Sequence, residues 1–457
     1  MRPLRAVLAC LAGTALLVGT SWAAPAHGRP AISGGTSAAG SGAVVAIATY
    51  DGRAWRVCSA ALLRPRVLVT AAHCMTRPGT NERVSKVRVF APGARARVYS
   101  NTGPRRPSPV RVQKWWLGAD IVRDSTVRRD DVAVLLLNAD LGPQAFTRIA
   151  DRADLTRWRA AKVPVVHQGY GGTDTRRYSP TPQTVALPLT GLALGSSLGP
   201  TFSTASTAQQ TLCTGDSGSP AFVIQGTSAY LLGTMAGAQG PCALTPREAP
   251  ADLGLATIGY LPIINAAFAE AGYQQIPSAP QRVNQRARNR DVTITWTPPS
   301  VAPTAVSGYD VVDAAGTVVC QSATTSCTVS GLPDGTYAYA VRARNVEGEG
   351  DTAGGGAGAL VASPPQPVPP AATRLSKTRF TVTVTTIAGR TSAVVRTYLV
   401  KDQYGSTICT IPVSDPSAKS LTCPWAPRRG TYTLTVSADT EMGPSPTSAP
   451  SGRISVR

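Results

Sequence analysis

Three short segments carry residue types that together can perform acyl transfer: Thr70-Ala71-Ala72-His73-Cys74, Asp131-Val132-Ala133-Val134-Leu135 and Thr214-Gly215-Asp216-Ser217-Gly218-Ser219-Pro220. A serine hydroxyl is a weak nucleophile at neutral pH and needs an adjacent base to take its proton. His73 is a base of the right kind, and Asp131 can fix its tautomer and stabilise the imidazolium. Gly215 allows a sharp turn that would present its amide beside that of Ser217, and two convergent amides stabilise an oxyanion. The chain has only 3 histidines, His27, His73 and His167. His27 lies in the leader region, and His167 follows the apolar run Val163-Pro164-Val165-Val166, which reads as structural. That leaves His73. Asp130 adjoins Asp131, but the apolar frame after Asp131 places it just before a buried strand and favours it.

The elements that must hold these residues follow from length and composition. At 457 residues the chain is long enough for two or three domains, and 38 prolines with 43 glycines favour turns and linkers over long helices. Residues 1–26 read as a signal peptide: Arg2 and Arg5, an apolar run from Ala6 to Val18, then small residues through Ala26. The apolar run is short for a membrane span, so a secreted, soluble product is expected. Cys10 lies in that leader, and the 8 remaining cysteines form an even set, as a disulfide framework requires. None forms a CxxC pair, so neither a metal nor another cofactor is expected. The net charge of +20 comes from scattered arginines without a nucleic-acid module, which argues for general basicity and against nucleic-acid binding. A monomer is expected.

The order His, Asp, Ser and the residues around each resemble the chymotrypsin- and trypsin-like serine peptidases. The resemblance implies a secreted serine endopeptidase acting on protein or peptide substrates, built from two six-stranded β-barrels and a closing helix over 32–275. Leu261 to Ala271 has the apolar spacing of that helix. Residues 27–31 would be a short propeptide. Ile32-Ser33-Gly34-Gly35 resembles the new amino terminus that pairs with the aspartate before the nucleophile, here Asp216. Ala31 precedes it, so the activating cut would not be tryptic. The resemblance also implies bridges Cys58–Cys74 and Cys213–Cys242. Thr211 occupies the pocket-floor position where trypsin-like members carry aspartate. Ala236, Gly237 and Ala238 stand where the substrate strand usually reads Ser-Trp-Gly. A neutral floor disfavours cleavage after Lys or Arg. Ser219 replaces the usual second glycine of the nucleophile motif.

Beyond a linker at 276–280, residues 281–362 alternate apolar and polar positions: Val292 to Trp296, Gly308 to Val312, Cys327 to Leu332 and Thr336 to Ala343. This succession resembles a fibronectin type III sandwich. After a Pro-rich linker at 363–370, residues 371–457 repeat the plan more loosely, in Phe380 to Val384, Thr397 to Val400 and Thr431 to Val436. Cys320–Cys327 and Cys409–Cys423 would staple the two units. The whole chain is therefore read as all-β, with surface or polymer attachment expected of the sandwiches. Two alternatives stay open: a catalytically silent homologue, and an adhesion protein.

Overall fold

The computed structural model describes residues 32, 35–78, 80–118, 123–124, 127–172, 178–195, 199–207, 210–238, 251–300, 306–387 and 389–457. The leader, the propeptide and Cys242 lie outside the described residues.

Six strands form the first sheet: β1 (Val44–Tyr50), β2 (Trp55–Arg64), β3 (Val67–Thr70), β4 (Lys86–Val89), β5 (Val112–Leu117) and β6 (Ala133–Leu137), in the order β4-β1-β2-β3-β6-β5. A second six closes on itself: β7 (Pro164–Gly169), β8 (Gln183–Ala193), β9 (Thr201–Ala205), β10 (Pro220–Gln225), β11 (Ser228–Ala238) and β12 (Ala251–Ala256). Its order is β8-β7-β10-β11-β12-β9, and β8 also pairs with β9. The unbroken apolar runs of β3 and β6 have a simple cause. Successive side chains point to opposite faces. Here both faces are cores: Leu68, Ala133 and Leu135 fill the first barrel, while Val69 and Val134 join the core continuous with the second.

Two helices complete this part. One, α1 (Arg152–Ala160), had no counterpart in the sequence reading. Its signal was present: Asp151 and Asp154 form a reciprocal capping box, and Leu155 and Trp158 make its buried face. The other, α2 (Leu261–Ala271), falls where the apolar spacing placed it. It buries Ile264, Ala267 and Phe268 and ends at Gly272 in the left-handed conformation.

The strands beyond residue 280 form two sandwiches of one design. The first has sheets β13-β14-β17 and β16-β15-β19, from β13 (Gln281–Arg288), β14 (Asp291–Thr297), β15 (Gly308–Val312), β16 (Val318–Ser322), β17 (Ser326–Val329), β18 (Gly335–Tyr337), β19 (Ala340–Asn345) and β20 (Ala359–Val361). The second repeats that order with β21 (Ala371–Arg374), β22 (Phe380–Thr385), β23 (Val395–Asp402), β24 (Thr407–Pro412), β25 (Ser420–Trp425), β26 (Gly430–Tyr432), β27 (Leu434–Thr440) and β28 (Ile454–Val456). Bridges Cys320–Cys327 and Cys409–Cys423 join the equivalent strand pairs β16–β17 and β24–β25. Tyr337 donates its hydroxyl hydrogen to the Pro333 carbonyl, and Tyr432 does the same to that of Arg428, four residues back in each case.

The stretches Thr336 to Ala343 and Thr431 to Val436 read as single strands, but each is broken in two. Their first halves, β18 and β26, pair with the last strand of the unit, and their second halves join the other sheet. A glutamine covers each break. The side-chain amide of Gln285 bonds both backbone groups of Tyr339, and that of Gln403 bonds Thr431 and Thr433. Non-reducing peptide mapping should return Cys58–Cys74, Cys320–Cys327 and Cys409–Cys423 together with a peptide joining Cys213 to Cys242. A bridge between a residue before 276 and one after 280 would contradict the division into units.

Candidate active site

Strand β3 ends at Thr70, and the chain turns through a short 3-10 helix, Ala72–Cys74, that carries His73. The Cys58–Cys74 bridge ties this turn to β2. Asp131 is 1% exposed and lies two residues before the start of β6, which pairs with β3. One carboxylate oxygen accepts the His73 amide at 2.7 Å and the other lies 2.7 Å from Nδ1. Both oxygens thus engage one residue, which fixes the ring and leaves Nε2 as the basic nitrogen.

Asp130 does not share that role. It sits at φ +44°, and its carboxylate accepts the Tyr260 hydroxyl at 2.9 Å. Burial, and then the bond to Asp130, raise the Tyr260 phenol above its ordinary range. The two neighbouring aspartates are sorted by their partners.

The nucleophile loop reaches the same place from the second barrel. Gly215 has φ +99° and Gly218 φ +77°, and a side chain on Gly218 would overlap Thr70 and Ser59. The Ser217 carbonyl accepts the Ser59 amide at 2.9 Å, and the Ser59 hydroxyl donates to the Gly215 carbonyl at 3.1 Å. Ser59 neighbours Cys58, so the loop is fastened beside the bridge that holds His73. Gly218 donates to Met235 at 2.6 Å, joining the loop to β11. The Gly215 and Ser217 amides flank Asp216 in the chain.

Asp216 is buried and accepts the amides of Gly171 and Cys213 at 2.8 and 2.9 Å. Ile32 is fully buried in the core of the second barrel. Cys213 is buried as well, and its expected partner Cys242 lies outside the described residues. Thr211 forms a neutral patch: its hydroxyl accepts from Ser206 at 2.8 Å and lies 3.4 Å from the Leu212 carbonyl. On β11, Ala236 is nearly buried, while a side chain at Gly237 would meet open space. Ala238 ends the strand, paired with Asp252. Cys58, His73 and Cys74 lie close together, but both sulfurs are committed to the bridge, so the group is no metal site.

His167 is fully buried on β7, with Nε2 3.2 Å from the Thr204 hydroxyl, away from Asp131. Burial pushes its imidazole down to about 3. The folded state therefore keeps it neutral, and the unfolded chain takes up a proton below about pH 6.5. Its contribution is fully present above pH 6.5 and declines by about 1.4 kcal/mol per pH unit as the pH falls toward 3. His167→Leu should flatten the acid side of a Tm–pH curve. An unchanged slope would show that other groups control it.

The double β-barrel, with Asp131 bonded to His73 next to the loop that carries Ser217, defines the class of the first unit. Comparison with known proteins agrees. Residues 32–249 match the Trypsin family and 278–354 the fibronectin type III domain, so the chain has a trypsin-family domain followed by a fibronectin type III domain. Endoglucanase B of Cellulomonas fimi is 49% identical over 61 residues, 12% of this chain and 6% of that protein's length.

Proposed function

We propose that the protein is a secreted serine endopeptidase in which Ser217 attacks the scissile carbonyl, His73 is the general base and then acid, and Asp131 orients His73. The reading rests on the paired bonds between Asp131 and His73 beside a nucleophile loop anchored to Ser59. Ser217 gives its proton to Nε2 as it attacks, and the amides of Gly215 and Ser217 hold the developing oxyanion. Collapse expels the amine, which takes the proton from His73, and water then releases the acyl group by the same route. A fluorophosphonate probe should label Ser217 of the mature protein. No labelling, with His73→Ala equally inert, would mean a catalytically silent relative.

Export through residues 1–26 and a cut at Ala31–Ile32 would free an amino terminus for Asp216. The sandwiches attach the enzyme to a cell surface or polymer. Cleavage is expected after uncharged residues of small to medium size, because Thr211 and Ser206 offer no negative charge to a cationic side chain, which would lose its solvation unpaired. Peptide-library profiling of the residue on the acyl side of the cut checks this. A strong Arg preference would place an anion in the pocket, with Asp252 the first suspect.

A further inference from the structure

The fibronectin unit is fastened to the trypsin-family domain by buried ions. Arg342, on β19, places one nitrogen 2.9 Å from Asp151, the N-cap of α1, and another 2.9 Å from Glu349. Glu349 in turn lies 3.1 Å from Arg148, which is 2.6 Å from Asp154. Asp151 is wholly buried and Arg342 nearly so. Around this centre Arg152 pairs with Asp351 at 2.6 Å, Arg64 with Glu347 at 2.9 Å, and Asn345 donates to the Gln275 carbonyl at 2.7 Å. Burial raises the carboxyls of Asp151, Glu349 and Asp351 above their ordinary range. Such charges are tolerated while their partners are present, and removing one leaves the others uncompensated.

The contact leads toward the site. The Arg148 guanidinium lies 4.6 Å above the Tyr230 ring. Its segment, Arg148–Ile149, pairs in parallel with Tyr230–Leu231 of β11. The Thr147 and Ala150 amides donate to Ala229 and Leu231, each at 2.9 Å. Four residues beyond Leu231, Met235 accepts the Gly218 amide and donates to the Ser219 carbonyl at 3.1 Å. An unbroken run of ion pairs and backbone bonds thus joins Arg342 and Glu349 to the loop carrying Ser217.

We propose that the fibronectin unit is a positioning element of the active site: docked through Arg342 and Glu349, it braces β11 and, through Met235, the nucleophile loop. The inference rests on Ser217 being the nucleophile. Coupling through such a network is a matter of one element whose arrangement both ends bias.

The test uses the full-length mature chain and the variants Arg342→Met and Glu349→Gln. Three quantities are read: amide hydrogen exchange over 216–236, kcat and KM on a peptide ester, and the number of calorimetric transitions. Wild type should melt these two units together, and Arg342→Met should separate them. Exchange at Gly218 and Met235 should rise in both variants, and kcat should fall roughly tenfold with KM changed less, the scale of coupling through packed networks. Separated transitions with unchanged exchange and kcat would overturn the proposal. If Arg342→Met fails to fold, Glu349→Gln decides, because it leaves the Arg342–Asp151 pair in place. If wild type shows no turnover, the peptidase reading fails and the exchange data alone judge the bracing.

Discussion

Ser217→Ala is expected to lower turnover of a peptide substrate by roughly 10⁶-fold while leaving the melting temperature unchanged, a loss of the size seen when a triad serine is removed. Stability should hold because the loop is anchored by main-chain groups: the Ser217 carbonyl to Ser59, Gly218 to Met235 and Ser219 to Asp216. None of these depends on the hydroxyl. The same anchors leave the Gly215 and Ser217 amides in place, so a small residual rate over water should persist from oxyanion binding. Steady-state kinetics with an active-site titration and a thermal melt give both numbers. A variant that keeps more than about a hundredth of the activity would place the nucleophile elsewhere.

Much of this site was legible in the chain because the chemistry needs unusual local sequence. A nucleophile that must stand on a tight turn requires glycines at Gly215 and Gly218, and a base held by a bridge requires Cys74 next to His73. The β3 and β6 runs were legible for another reason: a strand with a core on each face has no polar period. The helix α2 had clear apolar spacing and a glycine stop.

What escaped notice depends on residues far apart in sequence. The capping box before α1 is local, but its importance comes from Arg342, 191 residues away. Each residue of that network reads as an ordinary surface charge until the units are docked. The breaks at Tyr339 and Thr433 were hidden because both halves carry strand-forming residues, and only the partner sheet separates them. Tyr260 likewise shows nothing in sequence to connect it to Asp130.

That last contact sorts the two adjacent aspartates, and it gives a sharp expectation. Asp131→Asn should cost roughly 10⁴-fold in kcat, because an amide placed against Nδ1 favours the tautomer that leaves Nε2 protonated and unable to accept from serine. Asp130→Asn should cost little. The asparagine oxygen can still accept the Tyr260 hydroxyl, and asparagine tolerates the left-handed conformation at φ +44° better than most residues. Nothing in its bonding pattern reaches His73. Measuring kcat for both single variants across the neutral pH range separates the roles. Equal losses would mean that the pair acts through its summed charge. A larger loss at Asp130 would falsify the orientation of His73 by Asp131. The expected contrast, large at Asp131 and small at Asp130, follows from where the carboxylate oxygens point: both of those on Asp131 meet His73, and one on Asp130 meets a buried phenol.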